Sequence, residues 1–393
     1  MLTALVMAAP IVEADDADRL RRAVESVQKA QLPSGLLRYD FDFQSGAPSG
    51  EDHPARQASV VAVLSEYLLV SRDSSVRDTV ARALARFEAL SLPIGKSRAQ
   101  RLVESSGLYF LPRGRHTLAR ALDRLGLMYR PDGEGAVLSL DGQYREAWVG
   151  GTARALFAEL MYAEATGDER FDAARARWLR GLAALYVPGL GFRAAPTLIH
   201  VTTLSDGQAW LALAHHERRR PADPVVASML PELEARLMRE QSAAFDTYFY
   251  QWGTMAAAVR WDSTRDSRFP AFIEQQAVSV LDEPEEPEHY NTCAMVEGLA
   301  TAARVLRDAG GRSALVRRIV ARVEGEMRKN YALQIRPVRG RFAVAHGVSI
   351  VSPRLAEFDG AFLMESQRPY IRIDMTDHCI SAMLKLRQLS SSR

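Results

Sequence analysis

Carboxylates, arginines and aromatics gather just ahead of a series of apolar, Ala-rich segments, and these are the residues with chemistry to offer. The carboxylates are Asp40, Asp42, Glu146, Asp206, Glu288, Asp374 and Asp377. Cleavage of a glycosidic bond needs two carboxyl groups on opposite sides of that bond. Glu146 and Asp377 are the candidate pair, with Asp206 a third choice that also reads as a helix N-cap in Ser205-Asp206. Epimerisation or β-elimination of a uronic acid needs instead a base, often Tyr or His, and a cation to neutralise the carboxylate. Tyr144, His289 and Tyr290 are the candidate bases, and Arg38, Arg56, Arg145, Arg193 and Arg372 the candidate cations. Planar faces for sugar rings come from Tyr39, Trp148, Trp210, Tyr250 and Trp252. Asp40, Asp42, Gln57, Gln208, Asn291 and His378 add hydrogen-bonding groups for a substrate. Hydrolysis stands slightly ahead of the proton-transfer chemistries, and residue types alone do not separate them.

The two cysteines allow another reading. Cys293 and Cys379 hold equivalent places at the starts of two apolar segments, and His378 precedes the second. Cys, Cys and His at one mouth can bind zinc. Against it stands the reading of both as buried small residues at tight helix contacts, with a disulfide between them ranked below zinc. The expectation is no cofactor, with zinc at Cys293, His378 and Cys379 as the exception to test.

Composition narrows the partners. The chain has 393 residues, 47% hydrophobic and 25% charged, with 50 Lys+Arg against 48 Asp+Glu. That balance excludes a collagen-like or largely disordered chain, and the absence of a basic block excludes nucleic acid as the expected partner. No apolar run reaches the length of a membrane span. Lysine occurs only as Lys29, Lys96, Lys329 and Lys385, so the basic residues are nearly all arginine, the side chain best suited to grip carboxylates. Residues 1–15 form an apolar segment ending in Glu13-Ala14-Asp15, which reads equally as a signal-peptide remnant or the start of a first helix. Exported and cytoplasmic placements stay equally open, and oligomeric state is not legible.

Two kinds of helix must position these residues. Asp16–Ala30, Ser74–Leu90, Asp168–Tyr186, Pro224–Arg239, Ser267–Leu281 and Ser313–Tyr331 each carry one apolar stripe and one charged face, as outer helices do. Between them lie Ala58–Val70, Thr152–Ala165, Ala209–Ala214, Tyr250–Val259, Ala294–Leu306 and Ile380–Leu389, apolar around most of their circumference. The spacings from Ala209 to Gly253 and from Gly253 to Cys293 are 44 and 40 residues, the size of one helical hairpin. Longer intervals hold insertions at 91–141 and 332–375; in the latter FAVAHGVSI and YIRID read as short strands. Six outer and six inner helices in alternation predict an all-α (α/α)6 toroid, one domain over 16–393, with a small β-rich insertion near the C-terminus. Its parallel inner helices would bring their N-termini to one mouth that favours anions.

The segments Ser34–Phe43, Gln143–Ala165, Leu204–Ala214 and Tyr370–Leu389 resemble the six-hairpin toroids of carbohydrate-active enzymes. These include glycoside hydrolases, uronate-processing lyases and the helical domain of glucuronyl C5-epimerases. The resemblance is architectural and carries no catalytic signature of any one family. It implies a saccharide substrate, here one bearing carboxylates. A non-catalytic saccharide-binding or assembly protein of polysaccharide export is the alternative from another class. A zinc enzyme of the lanthipeptide-cyclase type is a further one, although the Cys-His order of that family is reversed here.

Overall fold

The computed structural model describes residues 10–105, 127, 129–284, 287, 289–311, 313–344 and 348–391. Twelve helices build the ring, numbered here in chain order so that odd helices are outer and even ones inner. The outer set is α1 (Pro10–Lys29), α3 (Arg77–Ala89), α5 (Asp172–Leu185), α7 (Leu230–Ala243), α9 (Arg268–Asp282) and α11 (Ser313–Ala332). The inner set is α2 (Pro54–Ser71), α4 (Val149–Thr166), α6 (Thr203–Arg219), α8 (Thr247–Thr264), α10 (Cys293–Asp308) and α12 (Ile373–Ser391). Each inner helix packs on the next, and α12 packs on α2, which closes the ring.

Close approach between inner helices explains why small residues recur on them. A Cβ at Gly150 of α4 would lie 2.0 Å from Oε1 of Gln208 on α6, and one at Gly298 of α10 would lie 2.4 Å from the ring of Tyr250 on α8. Gln208 and Tyr250, read from sequence as substrate contacts, thus fill the seams between neighbouring helices. The outer helices bury one stripe each, as with Val80, Leu84 and Phe87 of α3, and leave their charged faces in water.

The inner helices begin earlier than their apolar runs, because capping residues rather than hydrophobicity start them. His53 accepts a hydrogen bond from Ala55 N (3.2 Å) ahead of Pro54, Thr202 from Ser205 N (3.2 Å), and Asp246 from Tyr248 N (2.9 Å). Asp377 and His378 consequently sit more than a turn inside α12, not at its mouth.

Among the described residues, nine short strands decorate the ring. β1 (Asp40–Asp42) pairs antiparallel with β9 (Tyr370–Arg372), so that Asp40 faces Arg372 and Phe41 faces Ile371. β2 (Ser91–Lys96) pairs with β3 (Tyr129–Leu138), which places a hairpin in the first insertion. The rest of that insertion, apart from a short helix Arg98–Ser105 and residue 127, lies outside the described residues. β4 (Tyr186–Val187), β5 (Gly191–Ala195) and β6 (Leu198–Val201) form a small sheet that hydrophobic period did not predict. β7 (Arg341–Ala343) and β8 (Ser349–Val351) pair antiparallel, so FAVAHGVSI, expected as one short strand, supplies parts of two. Phe41, Leu333, Ile335, Leu355 and Phe358 bury themselves in a second, smaller core beneath that insertion.

Cys293 and Cys379 are joined as a disulfide between α10 and α12, with Cα atoms 4.9 Å apart and 86 residues between them in sequence. Of the three readings of this pair, the lowest-ranked one, a disulfide, is what the structure has, and neither sulfur is a free thiolate for a metal. Closing so long a loop in the unfolded chain is worth about 3–5 kcal/mol. Urea denaturation with and without reductant should differ by that amount, and superimposable curves would show that the bond contributes nothing.

Candidate functional site

The ring encloses a lumen of about 520 Å³. Its lining comes from all six inner helices. One end is walled by Arg154 (α4), Trp252 (α8), Glu297 (α10) and His378 (α12), of which the first three are buried residues. At the other end the lining includes exposed Val70, Arg218, Asp262 and Arg387, all near inner-helix C-termini. The lumen therefore opens at the C-terminal ends of the inner helices, opposite to the mouth where sequence reasoning placed the funnel.

Its floor holds the most perturbed charges of the ring interior. The Nδ1 atom of His378 lies 3.0 Å from Oε1 of Glu297, 3.2 Å from Nε2 of Gln251 and 3.5 Å from Oδ1 of Asp377. Gln251 also donates to the other oxygen of Glu297. Nδ1 is thus held in place, and Nε2 has no protein partner among the described residues. Burial lowers the imidazole's pKa, but Asp377 and Glu297 outweigh burial and carry it up to about 9. Asp377 is 0% exposed, and neither of its carboxylate oxygens finds a hydrogen bond among the described residues. Burial, opposed by His378 and Arg154 and helped by Asp374 and Glu297, pushes Asp377 up to about 7. Arg154 donates to the Ala55 carbonyl (2.9 Å) and lies 4.2 Å over the ring of Trp252. No carboxylate forms an ion pair with it among the described residues, its Nε is unpaired, and burial lowers its pKa to about 10.

A second charged layer lies toward the N-terminal face. Arg372 grips Asp374 with two bonds of 2.6 and 2.9 Å, and Arg56 reaches the same carboxylate at 3.1 Å while donating to the Tyr39 hydroxyl. Burial would raise Asp374, but the Arg372 bonds hold it below the usual carboxylate range. Burial first, and then Arg56 and Arg154, lower His53 to about 4, so it is neutral; its ring lies 6.0 Å from that of Trp148. Asp40 accepts from Ser49 N (2.8 Å) and from the Tyr370 hydroxyl (2.7 Å) across the β1–β9 pair.

The remaining candidates are dispersed. Glu146 lies at the rim with its side chain 47% exposed, 3.7 Å from Arg145 and 3.4 Å from Trp148 Nε1, and does not line the lumen. Tyr144 donates to the Pro93 carbonyl (2.6 Å) on the β2–β3 hairpin. The rings of His289 and Tyr290 pack tilted against one another at 4.3 Å in the loop before α10, where Asn291 donates to the Leu363 carbonyl (3.1 Å). Arg38 pairs with Glu357 (3.4 Å), and Asp42 caps a turn through Gln44 N (2.8 Å). Gln57 is fully buried and clamps the backbone of Leu37 on both sides.

Three candidates belong to the body of the fold. Asp206 is turned outward from the ring axis, paired with Arg236 of α7 and accepting from Phe192 N (2.7 Å). Arg193 is buried on β5 and donates to the Pro196 carbonyl. Trp210 donates to Glu234 (3.0 Å) and packs on Phe249 and Phe272 between inner and outer helices. Glu288 lies outside the described residues. Sequence reasoning missed Arg154, Gln251 and Glu297. Their signal was present: a charged or amide side chain inside an apolar inner helix, as in TARALFAEL and AMVEGLATA, has no reason to be there unless it is paired or faces a polar interior.

No family model matches the chain, and no curated protein does. Solved structures do. An inactive variant of the α-1,6-mannanase GH76A of Salegentibacter sp. HEL1_6, in complex with α-1,6-mannotriose, superposes with a TM-score of 0.63 at 11% identity, over 95% of this chain and 100% of that one. A sugar epimerase from a ruminal bacterium gives 0.61 at 11% identity, over 96% and 99%. An unsaturated glucuronyl hydrolase specific for heparin gives 0.56 at 10% identity, over 96% and 98%. The fold is the (α/α)6 toroid of carbohydrate-active enzymes. No helix among the described residues is long and apolar enough to cross a membrane.

Proposed function

We propose that the protein is a carbohydrate-active enzyme that moves a proton at the carbon beside the carboxyl group of a uronate-containing saccharide, by C5-epimerisation or β-elimination. The observation that carries this reading is His378 on the lumen wall, its Nδ1 fixed by Glu297 and its Nε2 free of protein partners. An imidazole held in this way presents one nitrogen to a substrate. Arg154, which lacks a carboxylate of its own, supplies the charge that neutralises the substrate carboxylate and makes the adjacent C–H acidic. In its neutral form the imidazole takes the C5 proton at Nε2, and the imidazolium so formed is stabilised by Glu297 and Asp377; it then protonates the departing C4 oxygen in elimination, whereas in epimerisation the new C5 proton arrives from solvent on the opposite face. Trp252 offers a flat face to the sugar ring beside them. The disulfide suits an oxidising compartment and so favours export.

Hydrolysis is the second reading. Glu297 lines the lumen, whereas Asp377, which keeps a proton to about pH 7, is sealed behind His378 and reaches a substrate only through the imidazole. Glu146 and Asp377, the pair favoured from sequence, have less support, because Glu146 stands half-exposed away from the lumen.

Incubation with uronate oligosaccharides in heavy water separates the outcomes. Deuterium at C5 without new reducing ends is the expected result for epimerisation, and ultraviolet absorbance of an unsaturated uronate is that for elimination. New reducing ends with neither signal would establish hydrolysis. Saccharide binding without any product would leave a non-catalytic binding protein.

A further inference from the structure

Above its polar floor the lumen changes character. Ala62, Val63, Phe157, Met161, Leu211 and Met255 form an apolar girdle contributed by four helices. Beyond it comes a charged rim: Lys385 with Glu66, Arg304 with Asp262 at 2.9 Å, and Arg218 with Glu164 at 2.8 Å. His378, Ser381 and Lys385 mark one face of α12, and the seven residues from floor to rim correspond to about 10 Å of helix. Few polar groups interrupt the girdle, and Thr301 spends its hydroxyl on the Glu297 carbonyl of its own helix (2.8 Å). Sugar hydroxyls drawn into this stretch would lose water for few partners, the Ser59 and Ser381 hydroxyls and His215 Nδ1, which has no partner among the described residues. An apolar chain would instead displace water from apolar walls. His215, on the same wall, is held neutral by burial and stacks on Phe157 at 4.7 Å, so it adds no charge to the girdle.

From this polarity sequence we infer that the lumen binds an alkyl or aryl aglycone. The substrate class is then an amphipathic glycoside: its anionic sugar head rests on the floor at Arg154 and His378, its apolar tail lies along the girdle, and it enters from the C-terminal face head first. The rim of paired charges keeps the opening wet and resists closure of the apolar walls on one another. This assignment rests on the saccharide reading for its head group and on the lumen alone for its tail.

Calorimetric titration of the full chain with methyl β-D-glucuronide, octyl β-D-glucuronide and octanoate tests both parts. Each buried methylene contributes about a fourfold gain, so the octyl glucuronide should bind at least ~100-fold more tightly than the methyl one. Ala258→Phe, which fills the lumen, and Met255→Glu, which charges the girdle, should remove that gain while their melting curves report whether they fold. Equal affinity of the two glucuronides in the wild-type protein overturns the aglycone site and leaves the saccharide reading standing. Octanoate binding that both variants abolish, with neither glucuronide bound, keeps the apolar site and removes the saccharide head. No binding of any of the three ligands overturns the proposal.

Discussion

Replacing His378 with Gln is expected to lower turnover of a uronate substrate by about 10²–10⁴-fold, the range contributed by a positioned acid–base group. The substitution keeps the side-chain volume and the neighbouring disulfide, but it takes the imidazole from buried Glu297 and Asp377, so the melting temperature should fall and turnover is compared in protein that still folds. Its second signature is in the pH profile. The wild-type unit titrates near pH 7, where Asp377 loses its proton, and near pH 9, where the imidazolium does. Turnover that uses the neutral imidazole as base rises with pH through the second value. In His378→Gln that alkaline rise should vanish. Glu297 is a positioning residue in this scheme: Glu297→Gln removes one of the three anions that raise the imidazole's pKa, so the rise should move to lower pH while activity persists at a reduced level. A His378→Gln enzyme with wild-type turnover and an unchanged profile would remove His378 from the chemistry.

The ring was legible in the sequence because its signal is periodic and repeated. Ser313–Tyr331 and Ser267–Leu281 were placed to within a residue, since an amphipathic stripe marks both ends, whereas Asp16–Ala30 starts six residues late and Asp168–Tyr186 four residues early. Pro224–Arg239 was read as one helix, whereas the chain breaks at Ser228 and Met229, ahead of Pro231, and restarts as α7. Inner helices were found but begun too late, by five residues or more for α6 and α12, because their first turns carry polar residues such as Asp206 and Asp377 that hydropathy reads as loop. That offset decided the site. Residues assigned to a mouth lie inside the ring, where helix phase selects which point inward. Asp377 and His378 are neighbours in sequence, yet His378 lines the lumen and Asp377 is sealed behind it. Asp206 and Trp210, four residues apart on α6, share a face and both turn outward to α7, to Arg236 and Glu234. Such phases depend on how six helices pack together, which no single segment encodes. The small sheet β4–β6 escaped for a similar reason: Gly191 takes φ +109 at a point where a Cβ would lie 2.3 Å from Asp206 Oδ2. Its hairpin is therefore anchored by a side chain distant in sequence.

The role of Asp206 gives the opposite expectation to that of His378. Asp206→Ala should lower unfolding free energy at neutral pH by about 2–4 kcal/mol, because it strips Nη2 of the buried Arg236, which keeps Glu240 on Nη1, and the Phe192 amide of their acceptor. In protein that still folds, kcat should stay within about threefold of wild type, since the carboxylate faces α7 and not the lumen. Replacing both partners together, Asp206→Leu with Arg236→Met, should recover much of the loss, because the pair's desolvation is removed along with its attraction. The pH dependence has a definite sign. Burial pushes Asp206 up to about 6 in spite of Arg236, whereas the unfolded chain titrates near 3.8. Between those values the folded state holds the proton and the unfolded state has released it. Asp206 therefore makes stability decline as pH rises from about 4 to 6, with no further change above that. Asp206→Asn removes this titration, so its denaturation midpoint should be flatter than that of wild type across the window. A large loss of kcat in a fully folded Asp206→Asn protein would instead return this carboxylate to the list of catalytic candidates.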